Sequence, residues 1–121
     1  MKTTSVNDLD FFNKSHRFVL DIYRITRRFP KYEIFGLTSQ MRRAAVSIPA
    51  NIAEGYARRG KKDKIRFYNI SEGSIQECRY YIILSRDLGY LNNSNLLDKL
   101  DDIAKMLKQY IKKIEKSVKT N

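Results

Sequence analysis

Apolar residues recur at intervals of three and four along this chain, in runs separated by short polar breaks. Phe18, Ile22, Ile25 and Phe29 form the first run, with Arg17, Arg24, Arg27 and Arg28 around them. The pattern predicts a helix from about Asn13 to Phe29, stopped by Pro30. Leu37, Met41, Ala44, Ile48 and Ile52 mark a second helix, which Thr38 or Ser39 can cap. Gly60 follows Arg58 and Arg59 as the expected left-handed stop. Ile65, Tyr68, Ile75, Cys78 and Ile82 mark a third helix, from Lys61 or Lys62 to the break at Leu88-Gly89-Tyr90. The stretch Asn92 to Asn95 ("NNSN") predicts a polar turn. Leu96, Leu100, Ile103, Leu107, Ile111, Ile114 and Val118 then mark a fourth helix, with lysines on its opposite side. The final "KTN" is expected to fray. Amphipathic helices with short connections predict an all-α fold, an up-down-up-down four-helix bundle. It is expected to be a single domain over residues 1–121 with short flexible termini.

The second helix contains the stretch Ser47 to Gly55, "SIPANIAEG". Pro49 has no N–H for the carbonyl of Ala45 and crowds that turn. One reading breaks the helix at Pro49 and restarts it, with Asn51 as N-cap and Glu54 completing a capping box. The other carries one helix through with a kink. The apolar stripe stays in phase from Met41 to Ile52, which favours continuity. Ala50, Ala53 and Ala57 share a face near Ser47 and Gly55, so another helix can approach closely, inside the bundle or across a subunit interface. An antiparallel hairpin turning at Gly60 puts Arg66 opposite Glu54, Arg43 near Glu77, and Ser47 near Gly73 and Ser74. Arg43, Asn51, Glu54 and Glu77 are therefore the candidate structural or interface polar residues. Glu54 is expected to be substantially buried and paired with an arginine; the competing reading is a solvated surface charge.

Charge adds a direction to this framework. The 121 residues carry 24 Lys+Arg against 13 Asp+Glu, a formal net charge of +11. A field of that sign favours polyanionic partners. The candidate nucleic-acid-binding residues are Arg24, Arg27 and Arg28 near the end of the first helix, and Arg58, Arg59, Lys61, Lys62, Lys64 and Arg66 around the turn after the second. Lys61, Lys62 and Lys64 oppose the positive pole of the third helix, at about 0.3–1 kcal/mol each at low salt, and a bound polyanion offsets that cost. Lys105, Lys108, Lys112, Lys113 and Lys116 line the fourth helix, an ordinary solvated pattern taken alone. Tyr56 and Tyr68 are candidates for stacking on bases, although aromatics at helical spacing more often pack in cores. Nothing reads base edges, so phosphate-dominated binding of RNA or DNA with little sequence preference is expected.

Catalytic chemistry is not evident. His16 is the only histidine and Cys78 the only cysteine, which excludes an intrachain disulfide and leaves a poor metal-ligand set. Cys78 lies on an apolar face and reads as a small core hydrophobe. Asp98, Asp101 and Asp102 suit the early turns of the fourth helix, where negative charge favours the dipole. No phosphate-loop or dinucleotide fingerprint occurs. The expectation is no enzyme, no cofactor and no metal. The N-terminus lacks an apolar secretory core and no apolar run approaches membrane-spanning length, so a cytoplasmic protein with no membrane partner is expected.

Phe29 to Glu77, "FPKYEIFGLTSQMRRAAVSIPANIAEGYARRGKKDKIRFYNISEGSIQE", resembles the bacterial four-helix-bundle family described from intervening sequences in 23S rRNA genes. The later "SRDLGYL" and the fourth-helix heptads also fit, so the resemblance runs from about Phe18 to Ile114. It implies a left-handed bundle assembling as a ring-shaped homopentamer, with no established enzymatic activity. Related bundle proteins serve as accessory factors for retroelement reverse transcriptases and bind nucleic acid through a basic surface. The resemblance gives no reason to expect a constitutive ribosome component, despite the family's usual name. Where family members often carry Ser or Thr before the third helix, this chain has Arg59-Gly60-Lys61. The leading expectation is a non-enzymatic, homo-oligomeric nucleic-acid-binding bundle that contacts phosphates through basic surfaces. The alternative is a structural adaptor or accessory factor whose main partner is a protein such as a reverse transcriptase.

Overall fold

Ser5 and Asp8 close a short 3-10 turn over Val6–Asp8, in which the Ser5 amide donates to the Asp8 carboxylate at 3.2 Å. The computed structural model describes residues 5–92 and 95–120, and every regular element among them is helical. Helix α1 spans Asp10–Thr26, α2 Leu37–Ala57, α3 Lys61–Asp87 and α4 Leu96–Thr120. The first helix thus begins before the expected Asn13, because Leu9 and Phe11 are buried and extend its apolar stripe. It also ends before Phe29. Thr26 turns its hydroxyl back onto the Ile22 carbonyl at 2.7 Å, and the amides of Arg28 and Phe29 bond three residues back. Phe29, at a position where the following Pro30 disfavours continued helix, is buried.

The start of α2 departs from expectation. Neither Thr38 nor Ser39 caps it; Thr38 is buried within the helix. The cap is Glu33, in a 3-10 turn over Lys31–Glu33, whose carboxylate accepts from the Leu37 amide at 3.2 Å. Gly36 lies between them, and a Cβ there would stand 2.7 Å from the Glu33 carboxylate. The same carboxylate accepts from the Tyr90 hydroxyl at 2.9 Å, tying this loop to the segment after α3. Gly60 is another correction: its φ of −78° is extended, and it precedes α3 as its N-cap. The left-handed glycine is Gly89, with φ 81°, which ends α3 as expected.

Helix α2 runs unbroken through Pro49. Asn51 is therefore not an N-cap. Its amide donates to the Ser47 carbonyl at 2.8 Å and to the Ser47 hydroxyl at 3.0 Å, one turn back. Hydroxyls also join α2 to α3: Ser74 meets Ser47 at 2.7 Å, and the buried Ser71 donates to the Ile48 carbonyl at 2.9 Å. These pairs establish the antiparallel register expected for the hairpin. Gly55 explains the closeness of the two helices. It faces inward, and a Cβ there would stand 2.6 Å from the Tyr68 ring and 3.1 Å from the Lys64 carbonyl. Tyr68 is fully buried, with its ring edge-on to Tyr110 of α4 at 5.7 Å, so it is a core residue with no face free for a base.

The remaining pairings complete an up-down-up-down bundle. Phe11 packs on Tyr110 at 5.0 Å and Lys99 bonds Asp21 at 2.6 Å, so α1 and α4 are antiparallel. Arg79 pairs with Asp101, and Lys61 reaches Ser117, so α3 and α4 are antiparallel as well. Among the described residues α1 and α3 make no close backbone approach, nor do α2 and α4, as expected across the diagonals of a bundle. Ile22, Met41, Ile48, Ile75, Leu100 and Leu107 are at most 1% exposed and form the middle of the core. Of the "NNSN" turn, Asn93 and Ser94 lie outside the described residues, as does the terminal Asn121 of "KTN". Among the described residues, no helix is long and apolar enough to cross a membrane.

Gly55→Ala is expected to lower stability by about 1–3 kcal/mol, read from denaturant midpoints, because the methyl group collides with a ring that has no room to move. Cys78 is buried, and burial pushes its thiol up to about 12. At pH 8 the thiolate fraction is then about one in ten thousand, so the native protein should resist a thiol-alkylating reagent and become modified only on unfolding. Rapid modification of the native protein would show that the position is accessible.

Candidate nucleic-acid interface

The α2–α3 turn concentrates cations because two helix ends and two basic runs meet there, but the structure sorts them into separate tasks. Arg58, extended at the end of α2, bonds Glu54 at 2.8 Å and lies 4.0 Å from Asp63. Arg66 takes the other oxygen of Asp63, with its Nε and Nη2 at 3.1 and 3.0 Å. Both guanidiniums lie over the Phe67 ring, at 4.7 and 4.6 Å from its centre. Two arginines and two carboxylates thus form a locally neutral, ordered cluster.

Glu54 is the main correction to the sequence reading. Its side chain is 54% exposed, and its partner Arg58 is 43% exposed. It pairs with an arginine, but at the surface, and Arg66 pairs with Asp63 instead. The expected hairpin register holds, as Ser47 and Ser74 show. The difference lies in burial: Glu54 is beside the inward-facing Gly55 and projects outward. Arg43 and Glu77 are also exposed, and both line a small polar cavity of about 150 Å³ with Gln40 and Ser47.

Lys64 does not stand against the α3 pole as an unpaired charge. Its ammonium donates to the carbonyls of Gly55 at 3.2 Å and Tyr56 at 2.7 Å, the last acceptors of α2. It also lies 5.5 Å from the centre of the Tyr56 ring, and partial burial lowers its pKa. Lys64 is therefore a C-terminal cap for α2, where a cation is favoured. Lys61 donates to the Ser117 hydroxyl on α4. Arg59 and Lys62 are exposed, and neither has an ion-pair partner among the described residues.

The Lys61–Ser117 bond brings the turn against the C-terminal half of α4. There Lys105, Lys108, Lys112 and Lys113 are exposed, again without ion-pair partners among the described residues, and Lys116 is exposed beside them. Steps of three and four keep Lys105, Lys108, Lys112 and Lys116 on one side of the helix, over about 16 Å at 1.5 Å per residue. In the sequence alone these lysines are ordinary surface. Which of them lie beside the turn depends on how α4 registers against α3, which the periodicity of either helix alone does not reveal. The offset of Arg58 and Arg66 is more legible: Glu54 precedes Arg58 by four, and Asp63 precedes Arg66 by three.

Arg24, Arg27 and Arg28 lie elsewhere. They sit where α1 ends, beside the start of α2, whereas Arg58 to Arg66 sit at the other end of α2. The 21 residues of that helix separate the two clusters by about 30 Å. Arg24 bonds Asp21 at 3.2 Å; Arg27 and Arg28 are exposed and have no ion-pair partner among the described residues. Arg42 joins this end, donating to Thr26 at 2.9 Å with its guanidinium 4.6 Å from the centre of the Tyr23 ring. His16 is exposed, and no group of three metal-ligating residues occurs among the described residues.

An exposed pair of this kind contributes about 0.2–1 kcal/mol, so Glu54→Ala should shift thermal unfolding only slightly. A loss of several kcal/mol in a thermal or denaturant melt would mean that Glu54 is buried in solution.

Comparison with known proteins yields a family and a fold. Residues 7–109 match the family model described as 23S rRNA-intervening sequence protein. A similar solved structure is that of a protein with unknown function from the S23 ribosomal protein family of Bacteroides thetaiotaomicron VPI-5482. It is 25% identical, with a TM-score of 0.75 over 84% of this chain and 98% of that one. No curated protein matches.

Proposed function

Since the chain belongs to the family of 23S rRNA-intervening sequence proteins, we propose that it is a non-enzymatic, cytoplasmic, homo-oligomeric nucleic-acid-binding bundle. It contacts phosphates through one basic end. The observation that carries this reading is the set of exposed cations without ion-pair partners among the described residues at this end: Arg59 and Lys62 on the turn, and Lys112 and Lys113 in the part of α4 that Lys61 meets at Ser117. Ammonium groups held apart from carboxylates and supported on rigid helices neutralise phosphates and release counterions. Arg58 and Arg66 shape this end through Phe67 and Asp63, and Lys64 holds α2 in place. The sequence has no helix-turn-helix spacing, so RNA or DNA of mixed sequence is the expected ligand class. A second reading, an adaptor whose main partner is a protein, draws on the apolar side chains exposed at the opposite end, Phe35 and Tyr32 above all.

Binding to mixed-sequence RNA or DNA should be tight at low salt and weaken steeply as salt rises, measured by fluorescence anisotropy. Replacing Arg59, Lys61, Lys62, Lys112 and Lys113 with glutamine should lower both the affinity and the salt slope, the slope by roughly 0.7–0.9 for each phosphate no longer neutralised. Replacing Arg24, Arg27 and Arg28 should change both much less. An unchanged slope in the first variant places the contact elsewhere. Absence of binding by the wild-type protein at low salt gives precedence to the protein-partner reading.

A further inference from the structure

Phe11 near the start of α1 packs on Tyr110 of α4 at 5.0 Å, and Tyr68 of α3 meets the same ring edge-on at 5.7 Å. Tyr110 is therefore held by rings from two other helices, yet it is only partly buried. It lines an open cleft of about 390 Å³ between α1 and α4. Phe11 and Met106 share the apolar lining, and Gln109, Lys112 and Lys113 supply the polar part. The volume lies within the range of small-ligand pockets, about 300–1,000 Å³. No carboxylate stands in the lining, and Lys112 and Lys113 are exposed without ion-pair partners among the described residues. Lys113 lies one turn before Ser117, the residue that Lys61 meets, so the cleft opens at the basic end of the bundle. A second cleft along the same pair of helices differs in this respect. Asp21 and Asp102 stand in it and pair with its lysines, Lys99 and Lys14.

We propose that this cleft takes an unstacked base of single-stranded RNA or DNA, with the adjoining phosphates on Lys112 and Lys113. This rests on the nucleic-acid reading above and narrows its ligand to single strands. A base and its phosphate need opposite kinds of surface, and here the two lie side by side: unpaired ammonium groups on the rim, aromatic rings and a thioether inside. Every base has a π-face, so such a contact tolerates any sequence. The carboxamide of Gln109 carries both donors and an acceptor, which suits the edge of any base. Because Phe11 and Tyr68 already hold the Tyr110 ring, little side-chain freedom is lost when a base lies against it. A duplex cannot use the cleft, since its bases are paired and stacked. Phosphate contacts alone give the opposite preference, because each one releases more counterion from a duplex than from a single strand. A preference for single strands is therefore diagnostic of base contact.

Anisotropy titrations of the full chain at one salt concentration test the proposal with three probes: a mixed-sequence single-stranded DNA, the same backbone with abasic sites in place of its bases, and the blunt duplex. The single strand is expected to bind about tenfold or more tighter than either of the others. Tyr110→Leu, which keeps an apolar side chain against the core, should bring the single strand down to the abasic level and leave the abasic strand unchanged. Where circular dichroism shows that variant unfolded, Met106→Ala, at a half-buried position, should give a smaller loss in the same direction. On irradiation, a single strand carrying iodouracil should cross-link to Phe11 or to residues 106–113. Equal affinity for the single strand and the abasic strand, or cross-links confined to other segments, overturns the base cleft and leaves the phosphate reading standing. No binding of any probe at low salt overturns both.

Discussion

The close approach of Gly55 to the Tyr68 ring is the constraint on which this bundle turns. Only a residue without a side chain fits there, and only a large ring fills the space that the absent side chain leaves. Several features follow from that one contact. It pins the register of α2 against α3, so that Ser47 meets Ser74 and Ser71 reaches the Ile48 carbonyl. It brings Lys64 within reach of the last carbonyls of α2. It also seats Tyr68 against Tyr110, which carries the constraint into α4.

Much of this is legible from side-chain spacing. Helical periodicity identifies the four long elements, and the in-phase stripe from Met41 to Ile52 correctly keeps α2 continuous through Pro49. The hairpin register is legible because a short turn leaves little freedom in how two antiparallel helices align. The departures have a common cause, the reliance on residue type without direction. Glu54 and Gly55 are neighbours that point to opposite sides, so the polar residue is exposed and the small one buried. Gly60 suggests a left-handed stop because glycines often are, but an extended residue suffices where the next helix begins at once. Glu33 is not recognisable in sequence as the cap of α2 because it reaches over a glycine from outside the helix, at a spacing no simple capping pattern describes.

The candidate interface is legible in composition and less so in arrangement. Counting arginines and lysines treats every cation as available. Lys64 is occupied by backbone carbonyls, and Arg58 and Arg66 share Asp63. Lys112 and Lys113, ordinary in sequence, gain significance only from their position beside the turn. Net charge is a property of the chain, but an unpaired charge is a property of the packing, and the second determines what a surface can attract.

The separation of the two basic ends by the full length of α2 also bears on how such a protein can change over time. The groups at one end do not touch those at the other, and rigid helices lie between them. Substitutions at the two ends should therefore combine almost additively. A lineage can remodel the turn and the end of α4 residue by residue, trading lysines for other surface groups, without disturbing the anchored loop that presents Phe35. The bundle is in this sense modular within a single core: its two ends are free to diverge at different rates, and the Gly55–Tyr68 contact between α2 and α3 is the part least able to follow.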